Sequence, residues 1–210
     1  MQAEPLRDIC HLLGGLLLDG ANVSLLDKVR EQRMATHLAE ASEGLLADRM
    51  RAIEAGLEAD SSAVLAAEYT RLFIANGEAG ARGKIPVPPY EDCHSNGDGQ
   101  VLGERSLAAF KAYVAAGLGF EGMKGHPSDH IGLELCFVAA LLNEEANGAR
   151  DESARCAFMN GHLASFAATV GGALIATSRR PFWAGVGRAL SALPRGLQPA
   201  AADSREAAGT

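Results

Sequence analysis

Two short stretches of the chain carry the polar side chains that could bind a ligand or react. Residues 86–94 read Pro-Val-Pro-Pro-Tyr-Glu-Asp-Cys-His, and residues 127–135 read Pro-Ser-Asp-His-Ile-Gly-Leu-Glu-Leu. Carboxylates of this kind grip a guanidinium group through paired hydrogen bonds, whereas cysteine and histidine offer metal-ligand or nucleophile chemistry. The candidate residues are Tyr90, Glu91, Asp92, Cys93, His94, His126, Asp129, His130 and Glu134.

The elements that must position these residues are predicted to be helices. Apolar residues recur at helical spacing, aromatic residues are only 5% of the chain, and no strand pattern is evident. The sequence therefore predicts an all-α, single-domain bundle over residues 1–193, followed by a disordered tail over 194–210. About eight helices are predicted, over residues 4–19, 24–41, 43–57, 61–75, 102–117, 127–147, 151–177 and 181–193.

The sequence also predicts helix caps, irregular positions within helices and one long loop. Ser24 is expected to cap the second helix, and Asp60 or Ser61 the fourth. Pro127 is expected in the first turn of the sixth helix, and Gly171-Gly172 is expected to kink the seventh. Residues 76–101 lack any sustained periodicity, and a structureless stretch of this length inside a compact domain is usually functional or disordered.

The charge balance narrows the class of partner. The formal net charge is -7 and the pI is near 5.4, which argues against nucleic acid, because phosphate binding requires a basic surface. An acidic surface favours a basic peptide. The chain opens without a signal-peptide pattern, its four scattered cysteines indicate reduced thiols, and the 15-residue apolar run 163–177 is shorter than a membrane span. These features predict a cytoplasmic location without stable membrane insertion.

An enzyme is the alternative that the residues leave open. His126 and His130, together with Cys93 and His94, could bind a metal ion, and Cys93 beside His94 could form a nucleophile pair. Adjacent residues rarely orient in that way, however, and Pro127 lies between His126 and His130 and is expected to leave His126 outside the helix. The Gly77-x-x-Gly80-x-x-Gly83 pattern lacks the strand and the Gly-Lys-Ser/Thr sequence of a phosphate loop. We therefore predict no enzymatic activity and no cofactor.

The ordered motifs resemble those of the TorD/DmsD family of cytoplasmic redox-enzyme maturation chaperones. The resemblance rests on the two stretches already described and on the helix motif Glu68-Tyr69-Thr70-Arg71-Leu72-Phe73. It continues in His162-Leu163 with Phe166 and ends at Phe182-Trp183. Phe166 stands where the family often has tryptophan, and Cys93-His94 departs from the commonest ending of the loop. The resemblance implies an all-helical fold and a binding function.

The same resemblance implies a partner. Such chaperones hold the twin-arginine signal peptide, and sometimes the body, of the apo-form of a molybdopterin-containing reductase, so that export waits for cofactor insertion. A general assembly factor for a cytoplasmic oxidoreductase is the further alternative, and the chain could act as a monomer or homodimer. In the peptide-binding hypothesis, Glu91, Asp92 and Asp129 meet the arginines, Tyr90, Leu133 and Phe137 line the apolar part, and His130 and Glu134 orient the loop against the helix.

Overall fold

The computed structural model describes residues 3–74, 85–95, 102–118 and 125–197, and within these ranges the chain is helical without a β-strand. The predicted all-α class is therefore confirmed. The helices are α1 Ala3–Asp19, α2 Val23–Glu31, α3 Met34–Ala41, α4 Gly44–Ala59, α5 Ser62–Tyr69, α6 Asp92–Ser95, α7 Glu104–Ala115, α8 Ile131–Ala146, α9 Ser153–Phe158, α10 Ala164–Thr177 and α11 Pro181–Leu197.

The predicted second helix is in fact two helices. Arg33 adopts a left-handed backbone conformation with φ of 47° between α2 and α3, which ends one helix and turns the chain into the next. The predicted cap at Ser24 is also wrong. Asn22 is the cap of α2, since its side-chain oxygen accepts hydrogen bonds from the backbone N–H groups of Ser24 and Leu25. Ser61 caps α5 by accepting from the Val64 N–H, as the sequence predicted.

Two helices continue into π-helical turns that periodicity did not indicate. The turn Thr70–Ile74 follows α5, and the turn Met159–Leu163 joins α9 to α10. Because a π turn adds a residue to the helical repeat, the side chains beyond it face a new direction. An irregularity in the predicted seventh helix lies at Met159–Leu163, whereas Gly171 and Gly172 lie within the continuous helix α10.

Helix α8 is the central element of the bundle. It crosses α1 where two glycines face each other, since a Cβ at Gly14 would lie 3.0 Å from the Gly132 carbonyl oxygen. Ten of its residues are buried, including Glu134. The helix begins at Ile131 with His130 as its cap, so the expected placement of Pro127 in its first turn is wrong.

An aromatic cluster joins α1, α5 and α11. Trp183 is fully buried and donates from Nε1 to the Leu65 carbonyl, while the Tyr69 hydroxyl donates to the Leu17 carbonyl. The buried Glu68 carboxylate pairs with Arg71 and accepts the Arg179 N–H at 2.6 Å. Burial and the paired Arg71 act in opposite directions on this carboxyl, and its pKa is lowered. The Glu-Tyr-x-x-Leu-Phe motif thus stabilises the fold.

The last helix extends further than predicted. Helix α11 runs through Pro194 to Leu197, where the Arg155 guanidinium donates to the Leu197 carbonyl. The predicted tail therefore does not begin at residue 194. Its remainder, residues 198–210, lies outside the described residues, as do residues 76–84 and 96–101 of the predicted 76–101 loop. The described part of that loop is ordered and contains α6.

The segment Ser153–Thr177 is longer than the 15-residue run that the sequence indicated. It spans 25 residues and contains an 18-residue window with a mean hydropathy of 1.2, which meets the length and composition of a membrane-spanning helix. Its residues Phe158, Leu163, Phe166 and Val170 belong to the core of the bundle. Packing in this core accounts for the apolar composition of the segment.

Gly171 lets α10 and α11 approach closely. Alanine substitutions at Gly171 and at its neighbour Gly172 should therefore have opposite effects on stability. A Cβ at Gly171 would collide with Ser191 Oγ and lie 2.6 Å from the Gly187 oxygen, whereas a Cβ at Gly172 would meet nothing within 4 Å. We expect Gly171→Ala to destabilise the protein by about 1–3 kcal/mol through overpacking. Gly172→Ala should stabilise it by about 0.5–1 kcal/mol through its better helix propensity. Urea unfolding of both variants checks this, and equal shifts would contradict close packing at Gly171.

Candidate functional site

The structure brings the two stretches together in a short antiparallel bridge between Tyr90 and His130. The Glu91 N–H donates to the Asp129 carbonyl at 3.0 Å, and the Ile131 N–H donates to the Pro89 carbonyl at 2.9 Å. The bridge fixes the loop against the start of α8. Because successive side chains of an extended segment point to opposite faces, the side chains of neighbouring loop residues contact different parts of the protein.

Asp92 is buried beneath the loop and caps helix α7. Its carboxylate accepts hydrogen bonds from the backbone N–H groups of Gly103 at 2.6 Å, Arg105 at 3.0 Å and Ser106 at 3.1 Å. Only 1% of the residue is exposed. The carboxylate thus stabilises the helix N-terminus, a role that does not fit the predicted contact with a client arginine.

Asp129 is held in the same network. Its Oδ2 accepts the Asp92 N–H at 2.9 Å, and none of the residue is exposed. Burial raises the pKa of this carboxyl, while the hydrogen bond from the Asp92 amide opposes the shift. Like Asp92, it supports the backbone and presents no open carboxylate on the surface. The Asp129 carboxylate therefore joins the segment before α8 to the loop, and the Asp92 carboxylate joins the loop to the start of α7.

His130 caps helix α8 and contacts the loop through its ring. Its Nδ1 accepts the Gly132 N–H at 3.0 Å, and its ring contacts those of Tyr90 and His126. Burial, reinforced by the nearby His126, lowers its pKa to about 3. The ring is consequently neutral, and protonation of Nδ1 would remove the cap of α8.

Glu91 and Glu134 lie on the face of the bridge opposite Tyr90, together with His162. The Glu91 Oε2 lies 2.8 Å from His162 Nδ1, and its Oε1 lies 3.7 Å from Arg105 Nη1. Glu134 is fully buried, and neither of its oxygens has a hydrogen-bond partner among the described residues. Burial first, then the negative charge of Glu91, raises the pKa of Glu134 well above its ordinary value. Glu134 therefore lies in surroundings that disfavour the charged form of its carboxyl.

His162 and Arg105 are site residues that the sequence hypothesis did not assign. His162 was visible only as part of the His-Leu motif, and its direction depends on the π turn Met159–Leu163. Its ring stacks on Phe158 with centroids 4.9 Å apart. Arg105 had no sequence signal, because its position beside Glu91 follows from the Asp92 cap of α7. Tertiary contacts alone identify both residues.

The expected apolar lining does not form one surface. Leu133 is buried, and Phe137 packs against Tyr113 and Phe158. Phe137 lines a groove of about 320 Å³ between α7, α8 and α9, which His162 also borders. Tyr90 instead lines a separate cleft, so these three residues do not jointly contact one peptide segment.

We call the second cavity the Tyr90 cleft. Its volume is about 140 Å³. The Tyr90 hydroxyl lies 3.5 Å from His126 Nδ1, and Asp19 contributes a carboxylate at the C-terminal end of α1. Ile74 is 55% exposed at its edge. The lining residues are Leu18, Asp19, Ala21, Tyr69, Phe73, Ile74, Pro89, Tyr90, His126 and His130.

The metal or nucleophile alternative at Cys93, His94, His126 and His130 is not supported by the arrangement of these residues. His94 Nε2 lies 2.9 Å from the Pro88 carbonyl, and the His130 Nδ1 is occupied by the Gly132 N–H. Within the described ranges, the one group of three potential ligands that converges is Glu91, Glu134 and His162. The predicted four do not form a ligand set.

The family model of the nitrate reductase delta subunit matches residues 31–170. The chain therefore belongs to this family, and its predicted membership among redox-enzyme maturation chaperones of the TorD/DmsD type is confirmed. The matched residues include both the loop and the start of α8. None of the curated proteins matches the chain.

A solved structure shares the fold. It is described as a putative redox enzyme maturation protein from Archaeoglobus fulgidus, with a TM-score of 0.59 and 23% sequence identity. The similarity covers 88% of this chain and 91% of the other. This similarity concerns the fold, whereas the family match assigns the chain to a family of maturation chaperones that partner redox enzyme precursors.

Removal of the Asp92 carboxylate should destabilise the fold. Asp92→Ala leaves three backbone N–H groups without their acceptor, and we expect a loss of about 2–4 kcal/mol in unfolding free energy. Glu104→Ala, which changes an exposed acid in the first turn of α7, should cost less than about 1 kcal/mol. Equal losses in urea unfolding would contradict the capping role of Asp92.

His130 should make stability depend on pH. Its pKa is lowered from 6.5 to about 3 in the folded chain, so between these values the unfolded chain binds the extra proton. Stability contributed by neutral His130 is present above pH 6.5 and is lost as the pH falls, by about 2 kcal/mol at pH 5.

The matching variant is His130→Asn, because asparagine also caps helices but does not titrate. The loss of stability between pH 7 and pH 5 should be about 2 kcal/mol smaller in this variant than in the native chain. His37→Asn, at an exposed position, should leave the loss unchanged. Parallel pH profiles for the native chain and His130→Asn would show that His130 titrates normally.

Proposed function

We propose that the chain is a cytoplasmic chaperone that binds the twin-arginine signal peptide of a molybdopterin-containing reductase precursor. By holding the peptide, it delays export until the cofactor has been inserted. Membership in the maturation family supports the class of partner, and the Tyr90 cleft is the observation that supports the mode of binding. The sequence hypothesis placed the arginines of the peptide against Asp92 and Asp129, which are buried. In this proposal an arginine binds in the Tyr90 cleft instead.

The cleft has the chemistry to hold a guanidinium group. The C-terminal end of α1 carries the negative pole of the helix dipole, and Asp19 adds a carboxylate there. Tyr90 supplies a partly exposed aromatic ring, over whose face an arginine side chain is attracted, and the buried rings of Tyr69 and Phe73 form the wall behind it. A volume of about 140 Å³ suits one side chain, because pockets for whole drug-sized ligands measure about 300–1,000 Å³.

The apolar residues that follow the arginines in a signal peptide have a neighbouring surface. Ile74 is 55% exposed beside the cleft, and Leu18 and Phe73 line its wall. A peptide with its arginine in the cleft would therefore continue over apolar side chains. The net charge of -7 additionally favours approach of a basic segment.

Calorimetry with a synthetic peptide that carries two arginines and an apolar run tests the proposal. We expect Tyr90→Ala to weaken binding at least ~10-fold, because the ring forms one wall of the cleft. Asp19→Asn should weaken it about 5-fold and reduce its salt dependence, since one charge pair is lost. Asp48→Asn, an exposed acid on α4 that pairs with Arg51, serves as the control and should bind normally.

Three outcomes would reject the proposal. Absence of peptide binding by the native chain would do so directly, as would equal affinities for native chain, Tyr90→Ala and Asp19→Asn. Equal binding of a peptide with lysines in place of the arginines would show that charge alone is recognised. Binding of the reductase without its leader, but not of the peptide, would instead favour a general assembly factor.

A further inference from the structure

On the face of the bridge opposite the Tyr90 cleft, three side chains from separate elements converge. Glu91 comes from the loop before α6, Glu134 from the first turn of α8, and His162 from the π turn Met159–Leu163. One ligand atom of each lies within 4.8 Å of those of the other two. We propose that these residues form a binding site for a divalent transition-metal ion of the zinc class, beyond the proposed peptide-binding function.

Glu134 provides the observation that points to a ligand. It is 0% exposed, and both of its carboxyl oxygens lack a hydrogen-bond partner among the described residues. A buried polar group without a partner destabilises a fold by about 1–3 kcal/mol, so the interior position of this acid calls for an additional interaction. An ion coordinated between Glu134, Glu91 and His162 supplies it.

The donor set suits this class of ion. Zinc is coordinated by imidazole nitrogen and carboxylate oxygen at about 2.0–2.2 Å, with three protein ligands in sites that keep an open position. Ligand atoms on such an ion lie roughly 3–4 Å apart by that geometry. Glu91 Oε2 and His162 Nδ1 are 2.8 Å apart. The three side chains therefore need only small rotations to reach coordinating distance.

The site is accessible from a neighbouring groove, and charged side chains surround it. His162 is 12% exposed and borders the groove of about 320 Å³ beside Phe137, so an ion and its remaining waters can reach the site from that groove. Asp129 adds negative charge. Arg105 opposes the ion, since its Nη1 lies 3.7 Å from Glu91 Oε1, but its side chain is 44% exposed and the same Nη1 donates a hydrogen bond to the Gly161 carbonyl at 3.0 Å.

Metal-free, untagged protein titrated with Zn²⁺ and with Co²⁺ tests the proposal. We expect one ion per chain and a rise in Tm, because an ion that binds only the folded state stabilises it. The Co²⁺ spectrum should lack thiolate charge-transfer absorption, which distinguishes Glu and His ligands from the four cysteines. Glu134→Gln and His162→Gln should each weaken binding at least ~10-fold.

Two further variants sharpen the result. Arg105→Gln should tighten binding several-fold, because it removes a positive charge near Glu91. Glu104→Gln, an exposed acid at the start of the same helix, should bind as the native chain does. Tyr90→Ala should also retain metal binding, so failure of the peptide proposal and failure of this one are separable.

Absence of stoichiometric binding by the native chain would overturn the proposal, as would unchanged affinity in Glu134→Gln and His162→Gln. A thiolate signature in the Co²⁺ spectrum would assign the metal to cysteine and would overturn it equally. If either variant fails to fold, the spectrum and stoichiometry of the native chain still decide the matter.

Discussion

The arrangement of the site depends on two carboxylates buried among backbone N–H groups. Asp129 accepts the N–H of Asp92, and Asp92 in turn accepts three N–H groups at the start of α7. The backbone N–H groups of an irregular loop have no regular series of backbone carbonyl partners. Side-chain oxygens must therefore accept their hydrogen bonds. The position of Tyr90, the approach of Arg105 to Glu91 and the cap of α8 all follow from this chain of hydrogen bonds.

These hydrogen bonds also explain why the sequence identified the acidic residues of the site but not their roles. Periodicity was sufficient for α1, α4 and α8, because each presents a broad apolar face to the core. It identified Glu91, Asp92 and Asp129 as unusual residues as well. Residue type alone could not distinguish a carboxylate that binds a ligand from one that binds backbone N–H groups, since both functions use the same oxygens.

The remaining differences arise where the backbone departs from helical periodicity. Arg33 breaks a stretch whose apolar spacing is continuous, and the π turn Met159–Leu163 redirects His162 within an otherwise regular pattern. The break at Arg33 leaves no glycine or proline as a marker, and the single Gly161 inside the π turn does not by itself indicate such a turn. The close packing of Gly171 against α11 likewise becomes visible only in the three-dimensional structure, because the sequence does not show which helix faces it.

The bridge divides the chemistry of the loop between two surfaces. Tyr90 and Glu91 are consecutive, yet the first borders a cleft beside α1 and the second contacts His162 near α9. Because both belong to one extended segment fixed by the Pro89 and Asp129 carbonyls, a shift that moves one side chain must move the other. Ligands on the two faces would then influence each other's affinity equally, as linkage requires. The bridge is therefore the structural element that the proposed peptide cleft and the proposed metal site have in common.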